Sequence, residues 1–123
     1  MNKILEYTRR PDVTFHRCGR IRIASRIARR LGITPGDSVN VAISGGEYLL
    51  YAVHHPASPG RYHAACYRAN RSGESYCANS AALCRRLLDA IGFTDSRAAF
   101  MVGEAVERGG ITYFPIITTR PLC

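Results

Sequence analysis

Eight arginines fall between positions 9 and 30 (Arg9, Arg10, Arg17, Arg20, Arg22, Arg26, Arg29 and Arg30), and Asp12 is the only acid among them. The local net charge is +7 in a chain whose total is +8. Guanidinium groups carry rigid forks of donors that match phosphate oxygens and guanine edges. Seven uncompensated charges so close together repel one another unless an anion lies against them. The chemistry this pattern offers is anion binding, with a nucleic-acid backbone as the natural counterpart. A solvated basic surface with no ligand is the bland alternative.

Other reactive residue types form weaker patterns. His63-x-x-Cys66, with Cys77, Cys84, His54 and His55, holds enough donors for zinc. The spacing fits no closed Cys/His module, so these thiols are expected to be structural and no metal is expected. His16 and Cys18 leave the same side of a strand, but no acid in the local sequence would orient such a pair for catalysis. There is no phosphate-loop pattern, no Gly-x-Ser-x-Gly elbow and no close pair of carboxylates. Asp37 sits in a Pro-Gly-Asp turn, which gives it a turn role. The expectation is a protein without catalytic activity or cofactor. Tyr48, Tyr51, Tyr62, Tyr67, Tyr76 and Tyr113 read as amphipathic sheet residues, since a stacking platform needs several exposed together.

The elements that position the arginines follow from hydropathy period and turn residues. Arg20 to Ile23 alternates charged and apolar, the period of a half-buried strand. Ser25 is placed to cap a helix that buries Ile27 and Leu31 and turns Arg26, Arg29 and Arg30 outward, and Gly32 suits its end. Val39, Val41 and Ile43 alternate again, and Gly45-Gly46 suits a two-residue hairpin loop into Tyr48–Val53. Val13–Cys18 reads as a further strand ahead of these.

This stretch resembles the AbrB/SpoVT/MazE-type swapped-hairpin domains. The resemblance lies in Gly19-Arg20-Ile21-Arg22-Ile23, Arg29-Arg30-Leu31-Gly32-Ile33 and Gly36-Asp37-Ser38-Val39-Asn40-Val41, about a third of the chain. Ala24-Ser25 stands where that family usually has a proline before the helix. The resemblance implies a mainly β fold and DNA binding, with Arg20 and Arg29 at DNA-contacting positions.

The order of elements then recurs. His54 to Gly60 contains two prolines and a glycine and reads as a linker between halves at about 13–53 and 61–118. In the second half, Arg61–Arg68 and Ser75–Ala78 read as strands, with a turn at Asn70–Gly73 between them. Asn79 or Ser80 caps a helix carrying Leu83, Leu87 and Ile91, closed by Gly92. Ala99–Val106 and Ile111–Thr118 follow as strands around Gly109-Gly110. Short family members resemble half-barrels that close by exchanging hairpins in a dimer. Two tandem halves are expected to form a pseudo-two-fold barrel of six to eight strands within one domain, as a monomer or homodimer.

The composition fits an ordered chain, at 46% hydrophobic and 21% charged residues. No apolar run approaches the roughly 20 residues of a membrane span, and MNKILEYTRRPD lacks a signal core. Five scattered cysteines, an odd number, are unlike a secreted disulfide frame, so a reducing cytoplasm is expected, with Cys123 exposed. The function expected is a nucleic-acid-binding regulator, with DNA ahead of RNA and no membrane contact. The second reading is a protein-binding module, an antitoxin-like partner or assembly adaptor that binds no DNA.

Overall fold

The computed structural model describes residues 11–54, 64–69 and 75–118. Among the described residues, nine strands form one antiparallel sheet: β1 Val13–His16, β2 Arg20–Ile23, β3 Ser38–Ser44, β4 Glu47–Val53, β5 Ala64–Arg68, β6 Tyr76–Asn79, β7 Arg97–Phe100, β8 Val106–Arg108 and β9 Ile111–Ile116. Two helices among the described residues, α1 Ser25–Leu31 and α2 Ala81–Ala90, follow β2 and β6. None of the helices described is long and apolar enough to cross a membrane.

Strand order is β7-β1-β2-β6-β5-β3-β4-β9-β8. Exchanging β1 with β5, β2 with β6 and β3 with β7 maps the first six strands onto themselves in reverse. The centre of that pattern is the β2–β6 ladder, where Ile21 faces Ala78 and Ile23 faces Tyr76. β3, which follows α1, pairs with β5, and β7, which follows α2, pairs with β1. Past β7, Met101 to Gly103 return to β9. Val102 bridges Ile116, the Gly103 amide donates to Pro115 O at 2.8 Å, and Ile117 donates to Met101 O at 3.0 Å.

Alternation sets which face is core. Ile21 and Ile23 are fully buried beside Val13, Phe15 and Phe100, with the two phenyl rings tilted at 6.2 Å. α1 adds Ile27, Ala28 and Leu31 to this core, and α2 adds Leu83, Cys84, Leu87 and Leu88. Each fully buried aliphatic or phenyl side chain contributes on the order of 1.5–3 kcal/mol. The strands and helices are therefore held mainly by this shared apolar layer.

Three local expectations are corrected. Ser25 is the first helical residue, and Ala24 occupies the cap position with no side-chain bond. The Ala24 amide still donates to Asp12 O at 2.9 Å, so the β-type pairing with the start of β1 runs one residue longer and displaces the cap. By contrast, Ser80 caps α2 as its sequence suggests, its hydroxyl accepting from Leu83 N at 3.1 Å. The strand expected over Ala99–Val106 is broken into β7 and β8. The Val102 amide turns to the buried Asp12 Oδ2 at 2.9 Å, which takes it out of the neighbouring ladder. The second-half strand expected at Ser75–Ala78 lies one residue later. Arg61–His63, the Asn70–Gly73 turn and the linker beyond His54 lie outside the described residues.

Candidate nucleic-acid interface

β2 presents Ile21 and Ile23 to the core, so Arg20 and Arg22 leave its outer face, and both are exposed. Residues directly opposite in antiparallel strands share a face. Arg22 faces Thr14 of β1 and Cys77 of β6, and Cys77 faces Tyr67 of β5. Arg20 faces Asn79 of β6, which faces Ala65 of β5. On the other side, β7 pairs Ala99 with Thr14 and Arg97 with His16. The outer face of β7-β1-β2-β6-β5 thus carries Arg97, His16, Arg20 and Arg22, and no acid is among its paired residues. Arg20, Arg22 and Arg97 have no ion-pair partner among the described residues. His16 feels this field: burial first, then the charges of Arg20 and Arg97, hold its imidazole below the ordinary value of 6.5.

The remaining arginines of the cluster go elsewhere. Arg17 donates to Asp89 Oδ1 at 2.8 Å and to Phe93 O at 2.5 Å, tying the β1–β2 turn to the end of α2. Arg26 pairs with Asp12, the single acid of the cluster, which is almost fully buried. That carboxylate also accepts from Val102, so one buried charge joins β1, α1 and the chain after β7. The Arg30 guanidinium lies 5.8 Å from the Phe114 ring centre on β9, a cation–π contact. Arg29 lines a cleft of about 260 Å³ with Arg68 and Tyr76 beside the end of α1. Because α1 packs on the Ile21/Ile23 side of the sheet, Arg29 and Arg30 do not share a face with Arg20 and Arg22. Arg9 and Arg10 lie outside the described residues.

Arg97 was not among the arginines singled out in the sequence. The alternation Arg97-Ala98-Ala99-Phe100, with Ala98 and Phe100 buried, would place it outward, but nothing local says that β1 is its neighbour.

A second polar cluster has a structural character. Asp37 is fully buried, and its Oδ2 accepts from Thr34 N at 2.8 Å, Thr34 Oγ1 at 3.1 Å and His54 Nδ1 at 2.8 Å. This replaces the simple turn role read from Pro-Gly-Asp, because the carboxylate holds the α1–β3 turn and the end of β4 together. Burial, and then the negative Asp37, push the nearby Cys66 thiol up to about 12, so it offers no thiolate at neutral pH. No group of three or more His, Cys, Asp or Glu side chains among the described residues is placed to hold a metal ion. His55, His63 and Cys123 lie outside them. Comparison with protein-family models, with curated proteins and with solved structures gave no match.

Proposed function

We propose that this chain is a nucleic-acid-binding regulator built on the swapped-hairpin plan its sequence resembles, with DNA as the ligand that resemblance implies. The fold part of this reading rests on pairing. The hairpin β3–β4 that follows α1 adds to β5, and the strand that follows α2 adds to β1, so each half completes the other. The contacts of Met101 to Gly103 with β9 bring the chain after β7, at one end of the strand order, against the next-to-last strand at the other, an arrangement that supports a barrel-like reading.

The functional part rests on one observation, the outer sheet face with Arg20, Arg22, Arg97 and His16 and no acid paired among them. Cations without ion-pair partners among the described residues, close together on one sheet face, release counterions when they meet phosphates, which is the main source of nucleic-acid affinity. The arginines of α1 have other partners or another face, so they serve here as internal controls. Fluorescence anisotropy with labelled DNA, single-stranded and duplex, at low salt tests the reading. The variant Arg20→Gln/Arg22→Gln/Arg97→Gln is expected to lose roughly 10- to 150-fold in affinity, at about 0.5–1 kcal/mol per arginine. Arg29→Gln/Arg30→Gln should bind within about fivefold of the parent, since a change below about 1 kcal/mol is less than about fivefold. If the parent binds neither form, or the triple variant binds like the parent, the reading fails and the protein-binding alternative replaces it.

A further inference from the structure

The width of the basic face restricts the nucleic acid it accepts. Five adjoining strands, about 4.8 Å apart, make a surface about 19 Å from β7 to β5. The major groove of B-DNA is about 12 Å wide and admits a helix or a two-stranded ribbon. β1 and β2 are not a free ribbon: β7 flanks β1, and β6 with β5 flanks β2. The arginines on them therefore cannot enter a groove, and the face meets its ligand as a platform.

Among the described residues, one tyrosine ring lies on that platform. Tyr67 is 43% exposed and shares the face through Cys77, which stands opposite both Tyr67 and Arg22. Its hydroxyl accepts a hydrogen bond from Asn79 Nδ2 at 3.3 Å, and Asn79 itself stands opposite Arg20. The ring is thus held in place at the edge of the arginine rows, two strands from Arg22, with only Cys77, which is buried, between them. An open aromatic face beside unpaired guanidinium groups on a sheet is the equipment for stacking a base while its backbone is held. A base inside a duplex has its faces covered by its neighbours, so only an unpaired base reaches such a ring.

We propose that the outer face of β7-β1-β2-β6-β5 binds an unpaired stretch of nucleic acid, with a base stacked on Tyr67 and the flanking phosphates held by Arg20, Arg22 and Arg97. This rests on the nucleic-acid reading above and narrows it to single strands. The full chain is titrated against labelled single strands of DNA and of RNA, each roughly 12 nucleotides and of mixed sequence, and against the matching duplex. Both single strands should bind more tightly than the duplex, and a preference between them identifies which polymer the site takes. Tyr67→Leu should weaken single-strand binding about tenfold, within the range one base–aromatic stack contributes. Tyr67→Phe, which keeps the ring, should stay within about twofold of the parent if stacking is the operative contact. Duplex binding should not change in either variant, and thermal melts confirm that both remain folded. The inference is overturned, with the basic-face reading intact, if the duplex binds as tightly as the strands or if Tyr67→Leu binds strands like the parent. If the parent binds neither form, the underlying reading has failed and takes the inference with it.

Discussion

Gly19→Ala is expected to be far more damaging than an alanine in either glycine hairpin loop, because Gly19 sits where the two halves of the strand order meet. Gly19 has φ +117°, and a Cβ there would meet Ala81 N at 2.8 Å and Ala81 Cα at 3.0 Å. Both are backbone atoms at the start of α2, so the clash cannot be relieved by a rotamer change. The carbonyl of Gly19 also accepts from Ser80 N at 2.8 Å, beside the cap of α2. A non-glycine residue in such a backbone region costs about 1–3 kcal/mol. Displacing Ala81 and weakening the Ser80 bond adds about 1 kcal/mol. The sum is about 3 kcal/mol, a large part of a typical domain stability of about 5–15 kcal/mol. Gly45 and Gly109, both at φ +57° with nothing within 4 Å of a new Cβ, provide the comparison. Alanine at either should cost only about 1 kcal/mol, the ordinary left-handed penalty. Urea denaturation followed by circular dichroism measures all three. If Gly19→Ala loses no more stability than Gly45→Ala, the close seating of the β1–β2 turn on α2 is wrong.

Three further outcomes follow from the same structure. His16 is held below 6.5 in the folded state, so the unfolded chain binds its proton more readily, and its contribution to stability falls as pH drops below about 6.5 and is flat above. His16→Gln should remove that part of the slope in urea melts between about pH 5 and 7.5, and an unchanged slope would contradict the burial and charge assigned to it. In a Cys123→Ser background, maleimide should label native protein at exposed Cys18 and leave Cys66, Cys77 and Cys84 unmodified until denaturant is added, since all three are buried and the Cys66 and Cys84 thiols are pushed up to about 12; native labelling of Cys66 at a comparable rate would refute this. Asp37→Ala should cost about 1–3 kcal/mol by removing the fully buried carboxylate that accepts from Thr34 N and Oγ1, whereas His54→Ala, at a side chain 58% exposed, should cost under about 1 kcal/mol. Equal losses in the two variants would mean that the imidazole, and not the turn, is what the carboxylate holds.

What was legible in the sequence is what depends on near neighbours. The alternation of Arg20 to Ile23 marks the buried face of β2, and the paired glycines at 45–46 and 109–110 both form turns with φ near +57° and then +81° to +83°. Ser80 caps α2, and Gly32 ends α1 in the left-handed conformation. What could not be read is what depends on which strands meet. Arg17 and Asp89 are 72 positions apart, and Arg97 reaches His16 only because β7 pairs with β1. The charge count of residues 9–30 stands, but the fold divides the described arginines among them between an outer sheet face, a buried carboxylate, a phenyl ring, a cleft at the end of α1 and the end of α2. Periodicity tells a side chain which way to face, not what it will find there. Asp37 shows the same limit: a Pro-Gly-Asp turn signals a bend, but not that its carboxylate is fully buried or that His54, at the end of β4, comes within 2.8 Å of it.

The most direct measurement of the sheet-face claim is the salt dependence of binding, for the parent and for Arg20→Gln/Arg22→Gln/Arg97→Gln. Each phosphate left without its arginine should reduce the slope of log K against log salt by about 0.9 on duplex DNA or about 0.7 on a single strand. With three arginines removed from the outer face, the slope is predicted to fall by about 2.1 on the single strand that the platform favours. An unchanged slope in the triple variant, or a parent whose binding is indifferent to salt, would contradict the assignment of this face to nucleic acid.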